Sequence, residues 1–289
     1  MSANAPAAPN SEMSAFWNGD AAKRWVEHDE RYEAQLAPLT AHVMSRARLR
    51  STDTVLDVGC GTGTLAIAAR RKLGTTGSVM GVDISARMLK RARVRLADTG
   101  LNRVAFFEGD AQVSTLGTGA YDRIISRLGV MFFDDPGAAF SNLARAAKAD
   151  ARLAFVCWQA RSENPWVSTA ISAMAEHIDI EQLPESGPGP WSLADPAVIT
   201  ATLQGAGWRD VTATPIHGDL HVGGLGTVEE AVEFVCATGM VFELLAGARK
   251  KHRRRAIKAI AEAFEPHHDG SGVTFPYAVW AVDSHRAAG

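Results

Sequence analysis

From Thr54 onward, short runs of β-branched and apolar residues alternate with stretches whose apolar positions recur every three or four residues. The first pattern reads as buried strands and the second as amphipathic helices, and their alternation is the signature of βαβ units in a mostly parallel sheet. The runs predict strands at Thr54–Val58, Ser78–Asp83, Val104–Phe107, Tyr121–Ser126, Arg152–Trp158, Trp208–Pro215 and Phe275–Asp283. Helices are predicted to begin near Thr64, Ser85, Gly137 and Asp195, the last opening with an N-cap aspartate followed by Pro196 at the first helical position. The implied fold class is α/β, a doubly wound sheet.

Three stretches break the alternation. Residues 12–50 are amphipathic and carry Trp17, Trp25 and Tyr32; residues 159–194 are rich in Pro and Gly; residues 218–272 hold two helical patterns. The expected organisation is an N-terminal tail and helical cap over 1–50 and a main domain over 51–289, interrupted by insertions at 159–194 and 218–272. Ligands of an open α/β sheet sit beyond the carboxyl ends of its strands, so insertions that leave or cross that end are expected to act as lids. The opening MSANAPAAPNSEMSAF lacks a basic segment followed by an apolar one, so it reads as a mobile tail rather than a secretory signal.

Composition narrows the partners only by exclusion. A hydrophobic fraction of 46%, a charged fraction of 21% and a formal net charge of -2 describe an ordinary soluble chain with no global pull toward nucleic acid or membrane. Apolar stretches such as Gly129–Phe133 and Leu153–Trp158 fall far short of the roughly 20 residues needed to span a bilayer, so no transmembrane segment is expected. Cys60, Cys157 and Cys236 fit neither a disulfide framework nor a metal motif, which points to a reducing cytoplasm and no bound metal. Two basic runs, Arg87 to Arg95 and Arg249 to Arg255, read as solvated helix faces rather than a nucleic-acid surface.

The stretch that carries chemistry is Val55-Leu56-Asp57-Val58-Gly59-Cys60-Gly61-Thr62-Gly63, a buried strand running into glycines and then a helix. Glycine permits positive φ and close backbone approach, and a helix start presents unpaired N–H groups, so this turn can wrap a polar, nucleotide-like ligand. By itself the run also satisfies a dinucleotide fingerprint, with Gly61, Gly63 and Ala66 spaced as G-x-G-x-x-A and Asp83 lying 20 residues beyond Gly63. An NAD-dependent oxidoreductase is therefore an alternative. Asp57, inside the strand, would repel a pyrophosphate, and Gly109-Asp110-Ala111 follows the third strand.

These residues resemble the class I S-adenosylmethionine-dependent methyltransferase family over about Thr54 to Trp158, in its small-molecule branch. The resemblance implies a seven-stranded Rossmann-like sheet and S-adenosyl-L-methionine as cofactor, with S-adenosyl-L-homocysteine as product. It implies that Asp83 binds both ribose hydroxyls, that Asp110 and Ala111 hold the adenine, and that Asp57 meets the ammonium group or braces the loop. The cofactor-binding set it suggests comprises Trp17, Asp57, Gly59, Cys60, Gly61, Gly63, Asp83, Ile84, Met88, Asp110, Ala111 and Ser126. Trp17 enters because Phe16-Trp17-Asn18-Gly19 resembles a cofactor-covering segment, and Ser126 because Ser126 to Val130 stands where the family lines the methyl-transfer site.

The function implied is methyl transfer to an O, N or C atom of a small, partly apolar acceptor, with a non-catalytic cofactor-binding protein as a further alternative. In-line displacement from a sulfonium needs positioning more than a metal. A hydroxyl acceptor would gain from a base, for which His28, His217, His221, His267 and His268 are the candidates, none backed by a motif. No catalytic residue is assigned. A homo-oligomer is compatible with the sequence.

Overall fold

The computed structural model describes residues 8–180 and 187–287. Three helices, α1 (Ser11–Asn18), α2 (Asp20–Glu27) and α3 (Asp29–Ala47), precede the sheet. The alternation then runs β1 (Thr54–Val58), α4 (Thr64–Lys72), β2 (Ser78–Asp83), α5 (Ala86–Ala97), β3 (Val104–Glu108), β4 (Tyr121–Arg127), α6 (Pro136–Ala146) and β5 (Ala147–Trp158). The remainder is α7 (Pro165–Ala175), α8 (Pro196–Gly205), β6 (Trp208–His221), α9 (Val228–Ala237), α10 (Gly239–Ala246), α11 (Lys250–Phe264) and β7 (Thr274–Arg286).

The seven strands form one sheet in the order β3-β2-β1-β4-β5-β7-β6. Pairs from β3 to β5 are parallel, and β7 runs antiparallel to both of its neighbours. The order reverses between β1 and β4, which opens a crevice beyond their carboxyl ends. Side chains at the middle of the sheet, among them Leu56, Ile124, Ile125, Leu153 and Phe155, are fully buried, as expected of strands covered on both faces.

Helix starts follow their caps. Ser85 accepts from the Met88 N–H at α5, Asp135 caps α6 ahead of Pro136, and Asp195 caps α8 ahead of Pro196. At α9, Thr227 and Glu230 satisfy each other's backbone N–H groups in a capping box.

Several boundaries differ from the sequence reading. The stretch around Asn10 is not a mobile tail: Asn10 is buried in the left-handed region and α1 begins at Ser11, while residues 1–7 lie outside the described chain. Strand β6 continues through Pro215 to His221, because β6 is an edge strand and a proline there forfeits no ladder bond. The segment 218–272 accordingly starts as strand and then holds three helices, α9 and α10 being parted at Thr238-Gly239 by a glycine at φ 52°. Residues 181–186 of the 159–194 insertion lie outside the described chain.

The N-terminal cap is more than a cover. Leu36, Leu39, Val43 and Ala47 of α3 are buried in the common core, each larger side chain contributing about 1.5–3 kcal/mol by leaving water. Its start is fastened to α5, where Asp29 accepts from Arg91 and Arg95, both at 2.6 Å. Two members of the first basic run are thus spent on a buried carboxylate rather than on solvent.

Candidate functional site

One cavity of about 640 Å³ occupies the crevice. Its floor is the end of β1 and the turn beyond it. Gly59, Gly61 and Gly63 all have positive φ, 64°, 53° and 84°. They serve different ends: a side chain on Gly59 would stand 2.7 Å from the Gly129 Cα, and one on Gly63 would strike Phe106 and Ala92, whereas one on Gly61 would meet nothing within 4 Å. Gly61 lines the cavity, so that open space is the cavity itself. The Gly59–Gly129 approach draws the ends of β1 and β4 together, and Leu128 just before it is held at φ 67°, a costly conformation for a branched side chain.

Three carboxylates face this floor. Asp57 is fully buried and neither of its oxygens has a hydrogen-bond partner among the described residues. Burial pushes its carboxyl well above the usual range, and Arg127 and the Ala66 N–H, which lies near but outside hydrogen-bond geometry, oppose that shift. Asp83 follows β2; one oxygen accepts from the Gly61 N–H and the other from the Ser85 N–H, both at 2.8 Å. Burial also raises the Asp83 carboxyl, and those two bonds pull it back. Asp110 follows β3, with Oδ1 accepting from Gln112 N–H and from the Asn10 side chain at 2.9 Å each, while Oδ2 is buried and unpaired.

The opposite wall is aromatic and comes from separated segments: Trp17 and Trp25 from the cap, Phe132 after β4, Trp158 at the end of β5, Trp166 on α7, and Phe234 and Phe242 on α9 and α10. Trp25 stacks on Tyr32 at 3.8 Å between ring centroids, and Trp17 packs edge-on against both Trp25 and Phe132. Between floor and wall lies a largely buried ion pair in which Arg127 donates to both oxygens of Glu33, at 2.6 and 2.7 Å, and to Thr40.

A family profile described as a methyltransferase domain matches residues 55–150. An aklanonic acid methyltransferase from Streptomyces sp. (strain C5) is 28% identical over 134 residues, 46% of this chain and 61% of that protein. A nocamycin O-methyltransferase from Saccharothrix syringae is 24% identical over 265 residues, 87% of this chain and 92% of that protein. The chain therefore spans less than two thirds of the first of these relatives. The crystal structure of the YcgJ protein from Bacillus subtilis shares the fold, with a TM-score of 0.58 at 17% identity, covering 88% of this chain and all of that one. Residues 55–150 thus match a methyltransferase domain, and the relatives and the shared fold support a class I S-adenosylmethionine-dependent methyltransferase. The cofactor that this likeness supports is S-adenosylmethionine.

The residues of the cavity fit that cofactor. Buried oxygens left unpaired at Asp57 and Asp110 require a donor, and the cofactor offers an ammonium group and an adenine amino group. A phosphate-bearing cofactor would instead set anionic oxygens against Asp57. The Ala111 N–H makes no hydrogen bond among the described residues and borders the same space.

Of the residues singled out from the sequence, Trp17, Asp57, Gly59, Cys60, Gly61, Asp83, Ile84, Met88, Asp110 and Ala111 line the cavity. Gly63 and Ser126 do not. Gly63 lets α4 pack against Phe106, and the Ser126 hydroxyl donates to the Val58 carbonyl at 2.7 Å and accepts from Gly129 N–H, bracing the β1–β4 junction. None of the candidate histidines lines the cavity; His28 lies edge-on against Phe234. Sequence reasoning missed Asn10, Arg24, Glu33 and Glu243, all of which do line it. No local signal marks them, since each arrives from a segment distant in sequence.

Proposed function

We propose that this methyltransferase carries a methyl group to an O, N or C atom of a small, partly apolar acceptor held between the strand-end acids and the aromatic wall. The observation that carries the reading is the continuity of one cavity from Asp57, Asp83 and Asp110 to Trp166, Phe234 and Phe242. A polymer substrate would call for an open, charged groove. The two relatives are named for aklanonic acid and for nocamycin, neither a nucleic acid nor a protein, which supports the same class.

In this reading Asp83 accepts from the ribose hydroxyls, Asp110 Oδ2 from the adenine amino group, and Ala111 N–H serves a ring nitrogen. Asp57 takes the ammonium group, whose charge offsets the cost of burying that carboxylate. Cys60, Ile84, Met88 and Trp17 fill the remaining wall around the cofactor. When bound, the cofactor supplies a methyl group on a positively charged sulfur and departs as a neutral thioether. The chain's task is then to hold the acceptor atom in line and keep water out, to which the insertions at 159–194 and 218–272 contribute Trp166, Phe234 and Phe242 of the aromatic wall. For a hydroxyl acceptor, Glu243 on α10 can receive the proton, since burial raises its carboxyl and no cation pairs with it among the described residues.

Isothermal titration with S-adenosylhomocysteine and NADH tests the cofactor half, and the expected outcome is binding of the first alone. Turnover of an acid or phenol acceptor with labelled S-adenosylmethionine tests the rest. Binding without transfer to any acceptor would favour a non-catalytic role.

A further inference from the structure

The cavity has two cations in its lining, and they are treated oppositely. Arg127 is neutralised by the bidentate Glu33. Arg24, on α2, has no carboxylate within 4.0 Å among the described residues, not even Asp20 one turn earlier on the same helix. Its guanidinium lies over the Phe242 ring, 3.2 Å from the centroid, which fixes its plane. One outer nitrogen reaches the Ala237 carbonyl only at 3.5 Å, and neither the buried Nε nor Nη2 has a partner among the described residues.

An unpaired guanidinium inside a largely aromatic enclosure is costly to keep unless an anion completes it. Of the cavity acids, Glu33 holds Arg127, Asp57, Asp83 and Asp110 sit on the floor assigned to the cofactor, and Asp20 and Glu243 make no ion pair with Arg24 within 4.0 Å. A guanidinium fork matches a carboxylate through two parallel hydrogen bonds, and its stacking on Phe242 leaves the edge rather than the face for that contact. The flanking rings, Trp25, Tyr32, Trp166 and Phe242, suit a flat apolar body beside the anion.

We propose that Arg24 is the anion-recognition residue of the acceptor site, so that the acceptor is a flat, apolar molecule bearing a carboxylate. This rests on the reading that the aromatic side of the cavity holds the acceptor. The competing partner for Arg24 is the carboxylate of the cofactor, and the experiment separates the two.

The probes are 2-naphthoate and 2-naphthamide, which share a bicyclic body and differ in charge, titrated calorimetrically into protein saturated with S-adenosylhomocysteine. The wild type is expected to prefer 2-naphthoate by roughly 10- to 100-fold, the range of a charge-assisted pair. Arg24→Gln should abolish the preference while S-adenosylhomocysteine affinity stays within about threefold. Arg24→Lys should keep part of the preference, because charge remains without the fork. Equal affinity for the two probes in the wild type, or a preference that survives Arg24→Gln, would overturn the proposal. So would a loss of S-adenosylhomocysteine affinity of about tenfold or more in Arg24→Gln, which assigns Arg24 to the cofactor. If the wild type does not bind S-adenosylhomocysteine at all, it is the underlying reading of the cavity that fails.

Discussion

The floor of the cavity, built from residues 57–61, 83–84 and 110–111, and its aromatic wall, built from residues 17–25, 158–166 and 234–243, are held in place by different means. On the floor the positions are set by backbone: strand register, three left-handed glycines and N–H groups bonded to Asp83. In the wall they are set by side chains packing on side chains across long sequence separations, such as Tyr32 against Phe234 and Arg24 over Phe242. A ligand group recognised by backbone geometry leaves few acceptable residues at each position. A ligand recognised by packed rings leaves many, so one scaffold can change acceptor while keeping its cofactor.

Substitutions on the two sides should differ accordingly. The largest effect is expected for Gly61→Val, whose side chain would enter the cavity from a backbone at φ 53°; S-adenosylhomocysteine affinity should fall by at least about a hundredfold in calorimetric titration. A folded variant with normal affinity would show that the loop is merely structural. Asp83→Ala comes next, at a cost of about 2–3 kcal/mol in the same titration, because charge-assisted bonds to the ribose vanish together. Unchanged affinity would remove Asp83 from the site.

Asp57→Asn should move stability and binding in opposite directions. Burial raises the folded-state pKa of Asp57 above the unfolded value of 3.8, so bound proton favours the folded state. That contribution is fully present below 3.8 and is lost as pH rises through the folded-state value. The ligand-free Asn variant should therefore be the more stable by about 1–2 kcal/mol at neutral pH, with the gap narrowing on acidification, in urea titrations at several pH values. Its S-adenosylhomocysteine affinity should drop by about tenfold. A less stable variant with the gap unchanged by pH would mean that Asp57 is satisfied in the folded chain. The smallest effect on cofactor affinity, within about threefold, is expected for Phe242→Ala on the wall. A larger loss would show that wall and floor are not separable.

The same contrast explains what the sequence disclosed. Strand starts at Thr54, Ser78, Val104, Tyr121 and Trp208 and the caps at Ser85 and Asp195 were legible because a few neighbouring residues decide them. So was the order of acids at the strand ends. Illegible were the continuation of β6 past Pro215, which depends on its being an edge strand, and the burial of Asn10, which depends on Asp110 and Asp134 far along the chain. Ser126 and Gly63 stand beside the motif yet outside the cavity, since sequence neighbourhood does not say which way a residue faces. Segment 218–272, expected to act as a lid, is also tied into the core: Phe264 of α11 is fully buried against Phe275 of β7.

The position of β7 orders the making of the molecule. It lies between β5 and β6, yet follows α9, α10 and α11 in the chain, so the sheet must leave a gap until these helices have emerged. As the chain leaves the ribosome, β1 to β5 can assemble from local βαβ units, whereas β6 has no partner strand until β7 arrives. The floor is therefore complete early, whereas the wall is complete only once α9 and α10 have joined the residues supplied by the start and middle of the chain. Until β7 inserts, the exposed edges of β5 and β6 are the nascent chain's points of vulnerability to aggregation, and a ligand held at the floor alone cannot protect them.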